Sequence, residues 1–460
     1  PAHPAIWPAQ VGFGSGRFIE GSAFIFSTGV AGSVARITAP IHLDNEPVQI
    51  SAPTPLTIDA AATITFNGAA DLSSNASLSV VNGLVTVNGE VVVLNVNTAP
   101  NSGGTDLGLN SSGRTAGTLI LRGVVRDANP LEPGAVRFGG GDGRIEIYGD
   151  NELTGTVRTG GDVILLGHDH ALGVSPTDPS VVATVRPGGT FYSDDDDRTI
   201  PNKMILQSTF NVAGDKSLTL SGEITQTNNR GFDNNIAGPG RLILSGLLNI
   251  WEDDEALVRE FDFRGTGTTV ITGQIRDDPL NSGNDRRINQ VGPGVLIIDV
   301  DSGDNQHSGP TTITRGNFHY ANNDSLNAGA GMILSRGGAI GVDTGIATNT
   351  SFAAKIDPAS TGGIMLAPSD AAANLDFTTT LANAAGMTVA APETGLTYTG
   401  TITPANSTYG LGGGAGTLTL PDAQLTGANS LEVRNEGVVE LLGDNTYTGT
   451  TTIIRRPSSS

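Results

Sequence analysis

The stretch Gly437-Val-Val-Glu-Leu-Leu-Gly-Asp-Asn-Thr-Tyr-Thr-Gly449-Thr-Thr-Thr-Ile453 decides the fold. Val438–Leu442 is a short β-branched and aliphatic run, and Thr450–Ile453 is another. Gly-Asp-Asn and a lone Gly punctuate them, so the stretch reads as strand, turn, strand, turn, strand. A second copy lies far upstream as Gly143-Arg-Ile-Glu-Ile-Tyr-Gly-Asp-Asn151-Glu-Leu-Thr-Gly155-Thr-Val. Asn151 falls on Asn445 and Gly155 on Gly449. A unit that recurs in this way is the signature of a solenoid, in which each repeat buries its surface only against its neighbours.

Weaker copies extend the pattern. Gly238-Pro-Gly-Arg-Leu-Ile-Leu matches Gly292-Pro-Gly-Val-Leu-Ile-Ile, and the latter continues to Gly309-Pro-Thr-Thr-Ile. Gly265–Gly273 is a further variant. Other strand-like runs are Leu119–Val125, Asp162–Leu166, Ser217–Ile224 and Thr417–Leu420. Their alternation puts one face inward and one outward. Glycine is expected at corners for its positive φ. Asparagine tolerates the same region, and its amide is expected to pair with its copy in the next coil. The only helix candidate is Trp251–Glu260, weighed against a charged loop and strand. At roughly 25 residues per rung the chain predicts about 18 coils and a rod on the order of 90 Å, shortened by insertions.

Bulk properties agree with an elongated all-β chain. There are 460 residues, 63 of them glycine, with 37% hydrophobic and 15% charged residues. The apolar residues come in patterned runs, which excludes a disordered chain. The 46 acidic against 25 basic residues leave a net charge of -21, which argues against nucleic acid and anionic membrane as partners. No apolar run approaches the ~20 residues of a membrane span, so direct membrane insertion is not expected. Cysteine is absent, and a ladder of this size does not need disulfides. The proline-rich and aromatic segment 1–60, with Trp7, Phe13, Phe18, Phe24 and Phe26, reads as a cap or edge segment, and 61–460 as the parallel β-helix. The start at Pro1 and the stop after Ile454–Ser460 lead us to expect a piece of something longer, truncated at its C-terminus, with targeting signals removed.

The block Gly437–Ile453 resembles the autotransporter-associated β-strand repeat, also called the passenger-associated transport repeat. The segments Leu396–Pro404 and Gly410–Leu420 look like the lead-in to such repeats. The resemblance covers about 116–460. It implies a right-handed parallel β-helix on a secreted or surface-displayed bacterial protein, serving as scaffold, stalk or adhesin. It prescribes no catalytic residues.

Several constellations carry residue types that could support chemistry. Asp301-Ser-Gly303 and Asp343-Thr-Gly345 share the triplet of aspartic proteases, whose two carboxylates must meet to share a proton. Lying in one repeat region, they read as two β-turns. Asp194-Asp-Asp-Asp-Arg198 offers oxygen ligands for calcium, as does the turn Gly139–Gly143, while a solvated acidic loop is the simpler reading. Glu252, Asp253, Asp254 and Glu255, or Asp277, Asp278, Asp285, Arg286 and Arg287, are candidates for a polysaccharide lyase or hydrolase. His168-Asp-His170 places two rings on one side of a chain, with no third ligand evident, and reads as a solvated turn. Gly410–Gly416 reads as a flexible turn rather than a phosphate cradle. No catalytic, cofactor or metal residue is therefore assigned, with calcium the only cofactor kept in view. The expectation is a non-enzymatic structural or adhesive β-helix of an extracellular surface protein. Its partners would be neighbouring copies, the rest of that protein, or glycans and other surfaces. A carbohydrate-active β-helix enzyme and a self-assembling filament subunit are the alternatives.

Overall fold

The computed structural model describes residues 23–25, 35–37, 41–44, 47–67, 77–94, 107–110, 117–129, 133–139, 143–160, 163–250, 259–277, 286–327 and 332–454. Trp7, Phe13, Phe18, Phe26 and 251–258 lie outside that set, as do Asp278, Asp285 and the centre of Gly139–Gly143. The chain is a β-solenoid of about 14 turns built from stacked parallel strands. It divides into two compact units, Pro1–Ile224 and Thr225–Ser460.

In the first unit one wall stacks Thr118–Leu121, Arg144–Ile147, Val163–Leu166, Thr190–Ser193 and Phe210–Gly214 in parallel register. A second stacks Leu107–Asn110, Ala135–Phe138, Thr156–Thr159 and Thr184–Arg186. A third stacks Ile41–Asp44, Ile64–Asn67, Val91–Leu94 and Val125–Asp127. Segment 1–60 already contains parallel strands: Ala23–Ile25 and Ala35–Ile37 both pair with Pro47–Ile58. In the second unit one ladder runs from Arg241–Leu244 through Thr268–Ile271, Val295–Ile298, Asn317–Tyr320 and Ala339–Val342 to Gly363–Met365.

The strands exist because their inward residues stack like on like. Leu119, Ile145 and Ile164 form one column, and Leu121, Ile147 and Leu166 another. All six are buried. Each contributes about 1.5–3 kcal/mol relative to exposure, which is what a thin core has to work with. Thr118 and Ile120, and Arg144 and Glu146, are half-exposed on either side of these columns, giving the alternation read in the sequence, while in Val163–Leu166 the intervening Leu165 is buried as well.

Coil length varies from 19 residues between Arg144 and Val163 to 34 between Val91 and Val125. Residues inserted at corners account for the smaller number of turns. One insertion is the excursion His168–Ala183, closed by an antiparallel bridge between Val174 and Val182. Another holds a short helix, Thr350–Lys355, which the sequence reading did not anticipate. The Asn349 side chain caps it by accepting the Phe352 N–H, and Phe352 and Ala353 are buried. The described end of the expected helix Trp251–Glu260 is different: Arg259 and Glu260 begin a strand, Arg259–Arg264.

Two expectations about corners change. Gly149, Gly155 and Gly449 do not have positive φ. They are glycine because a Cβ would stand 2.3 Å from the Gly123 carbonyl oxygen at Gly149, and 2.5 Å from that of Asn429 at Gly449. Close coil-to-coil approach, not backbone handedness, selects them. The asparagine amides bond to neighbouring backbone rather than to one another. Asn151 Oδ1 accepts the Val125 N–H at 2.8 Å from the coil before, and its Nδ2 donates to the Ala171 carbonyl at 2.7 Å in the coil after. Asn305 does the second of these, donating to Ser325 O at 2.9 Å. Asn445 accepts from Leu425 N–H at 2.8 Å and turns its Nδ2 onto Gly443 O of its own turn.

Candidate metal centre

The Gly-Asp-Asn corner recurs at 149–151, 303–305 and 443–445. At each, the asparagine is tied into the stack as described, and the preceding aspartate, with its carboxylate, is on the solvent side. What stands beside that carboxylate differs. Asp444 is exposed, and Asp304 Oδ1 accepts a hydrogen bond from Gln274 Nε2 at 3.0 Å. Asp150 is met by two imidazoles.

The register explains the meeting. Ile147 pairs with Leu166, and the Gly167 N–H donates to the Ile147 carbonyl. The corner after Ile147 therefore lies beside the corner after Leu166, which begins His168-Asp-His170. His170 Nδ1 is 2.7 Å from Asp150 Oδ1, and His168 Nδ1 is 3.8 Å from the same oxygen. The two rings meet edge to face with centroids 5.3 Å apart. One donor atom from each of the three lies within 4.8 Å of the others. The sequence reading found no third ligand because Asp150 is supplied by the preceding coil. The alignment of Ile145 on Ile164 was the signal that would have found it.

The turn carrying the rings is fixed from several sides. The Ala171 N–H donates to His168 O, and the Gly173 N–H to His170 O. Asn151 holds the Ala171 carbonyl, and Asp169 Oδ1 accepts the Thr199 N–H at 3.1 Å. The His170 N–H donates to His168 Nδ1 at 3.0 Å, which puts the remaining proton of a neutral His168 on Nε2.

In the acidic run, Asp194 is engaged by Arg198 through two hydrogen bonds of 2.7 Å, and Asp197 accepts the Ser217 N–H. These two carboxylates serve an ion pair and a bond to the next coil rather than converging on one point. Asp301 and Asp343 lie in turns after strands Val295–Ile298 and Ala339–Val342, with Asn317–Tyr320 stacked between them. Two ladder steps, about 10 Å, separate them along the stack, too far to share a proton. Gly303 and Gly345 do have positive φ there. Of the lyase candidates only Asp277, Arg286 and Arg287 are among the described residues: Arg286 is buried, Arg287 faces outward to Glu260 at 3.4 Å, and Asp277 accepts the Ser308 N–H. Glu252–Glu255 lie outside the described residues. In Gly410–Gly416, Gly412, Gly413 and Gly414 have positive φ, as a turn requires.

The second unit also has a groove on the outer face of its main ladder. Thr268, Val295, Ile297, His319 and Met365 contribute to it, with Asp343 and Glu393 as its carboxylates. His319 Nδ1 is 2.8 Å from Asp343 Oδ1. No aromatic platform lines it. His307, by contrast, is wholly inside. Its Nδ1 meets Asn305 Oδ1 at 2.7 Å and its Nε2 meets Thr311 Oγ1 at 3.0 Å. Burial, and to a smaller extent the positive charge of Lys355, pushes its pKa down to about 3. It is a neutral core residue.

No protein-family model, curated protein or solved structure matches the chain.

Proposed function

We propose that the chain is a structural or adhesive β-solenoid section of a large extracellular bacterial surface protein. The observation that carries this reading is where the repeated polar chemistry goes. Asn151, Asn305 and Asn445 spend their amides on coil-to-coil and corner bonding, Asp194 spends its carboxylate on Arg198, and Asp197 on the Ser217 N–H of the next coil. The repeat thus maintains the stack, and inserted corners such as His168–Ala183 are left to make contacts. The resemblance of Gly437–Ile453 to the autotransporter-associated repeat supports surface display, with neighbouring parts of the same protein as partners. Two measurements test this reading together: antibody labelling of intact cells, and a screen of acidic and neutral polysaccharides for cleavage. Surface label without cleavage products is expected. Cleavage, or label only after the cells are broken, overturns it.

A second reading is favoured by the groove across Thr268, Val295, Ile297 and His319. An extended glycan laid along parallel strands would meet a repeating surface there, with Asp343 and Glu393 as acceptors for its hydroxyls. Glycan-array binding that is lost in Asp343→Ala supports it, and an array without signal removes it.

A further inference from the structure

We propose that Asp150, His168 and His170 bind a divalent transition-metal ion, with zinc as the reference case. Four-coordinate zinc with bonds near ~2.0 Å keeps its ligand atoms ~3.3 Å apart. The separations from Asp150 Oδ1, 2.7 Å to His170 Nδ1 and 3.8 Å to His168 Nδ1, bracket that distance. A turn of the His168 ring that releases its Nδ1 from the His170 N–H is needed to bring the three donors, which already lie within 4.8 Å of one another, to one centre.

Donor chemistry narrows the ion. Two imidazoles and one carboxylate suit zinc, nickel, cobalt or copper, whereas calcium and magnesium prefer an all-oxygen set. The site is also pre-organised. Asp150 is fixed by its neighbour Asn151, whose amide bridges the coils before and after. That same amide holds Ala171, the residue next to His170. Asp169 anchors the middle of the His-Asp-His turn through Thr199. Little conformational freedom remains to be lost when the ion arrives. The three ligands are half-buried or exposed, so an ion has access, and its fourth position faces solvent. The corners at Asp304 and Asp444 serve as internal comparisons: they have the same aspartate, without paired imidazoles beside it, and are not expected to bind.

The inference goes beyond the scaffold reading and stands without it, because a metal site on a corner is compatible with any role of the solenoid. The test is isothermal titration of the full chain, carrying no affinity tag, with zinc sulfate. One zinc per chain is expected. His168→Ala/His170→Ala is expected to abolish that uptake, Asp150→Asn to weaken it by roughly tenfold or more, and His319→Ala to leave it unchanged. Absence of a one-to-one event, or equal uptake by the double variant, overturns the proposal. Circular dichroism verifies that the variants fold. Cobalt(II) added to the unsubstituted chain gives a second reading that does not depend on them. A saturable visible absorption band at one equivalent, displaced by zinc, is expected, and a spectrum identical to cobalt in buffer counts against the site.

Discussion

At the scale of single residues, the asparagine of the repeat is more than a turn former. Asn151 is buried and satisfies an N–H in one coil and a carbonyl in another. Asn151→Ala leaves both inside without partners, and we expect a loss of about 2–4 kcal/mol, since each orphaned buried group costs about 1–3 kcal/mol. Asn445→Ala removes one bond between coils and one within its own turn at a half-exposed position where water can replace them, and about 0.5–1.5 kcal/mol is expected. Urea unfolding of the two variants checks the order. Equal effects would mean that the amide is not a staple between coils. His307 sets a pH dependence. Its folded pKa, about 3, lies below that of an unfolded histidine. The unfolded chain therefore takes up a proton first as pH falls. Stability from this group is intact above the unfolded pKa near ~6.5 and declines by up to about 1.4 kcal/mol per pH unit below it, until pH approaches the folded value. His307→Gln is expected to flatten that decline in thermal midpoints measured between pH 7 and pH 4 (about one transition per pH unit sampled). A slope unchanged by the substitution would assign it to other groups.

At the scale of elements, strands were legible and corners only partly so. Thr417–Leu420 is a strand with the bounds its alternation implies, and Arg241–Leu244 and Val295–Ile298 are strands ending where the two matched Gly-Pro-Gly units end, while the runs Leu119–Val125 and Ser217–Ile224 are each broken by a corner into two strands. Period-2 alternation survives because each inward residue has a like residue above and below it. The helix Thr350–Lys355 was not legible: six residues carry too little periodicity, and its formation depends on burying Phe352. Its cap is testable. Asn349→Ala removes the acceptor for the Phe352 N–H and is expected to cost about 1 kcal/mol, read as faster amide hydrogen exchange across 350–355. Protection equal to that of the parent chain would show that tertiary packing alone holds the helix. The metal-site residues were half legible. His168 and His170 stand out in sequence, while Asp150 looks like any other turn aspartate until the register sets it beside them.

At the scale of the whole molecule, composition speaks first. A net charge of -21 on one chain is self-repelling. Raising sodium chloride from about 10 mM to about 150 mM shortens the screening length to about 8 Å, and we expect the thermal midpoint to rise. A midpoint that falls would mean that attractive pairs such as Arg198 with Asp194 outweigh the repulsion.

The sequence by itself determined that the chain is a parallel solenoid, because strand alternation and corner spacing are local properties written in consecutive residues. It also marked Asn151, Asn445, Gly155 and Gly449 as corner residues. Tertiary structure decided why they are there, since coil-to-coil distances exclude a Cβ at Gly149 and Gly449 and hold the asparagine amides against backbone. It decided the number of turns, because inserted corners consume chain without adding a rung. It also decided which aspartate meets two histidines. That depends on the pairing of Ile147 with Leu166, a contact between residues 19 apart that no single stretch of sequence contains.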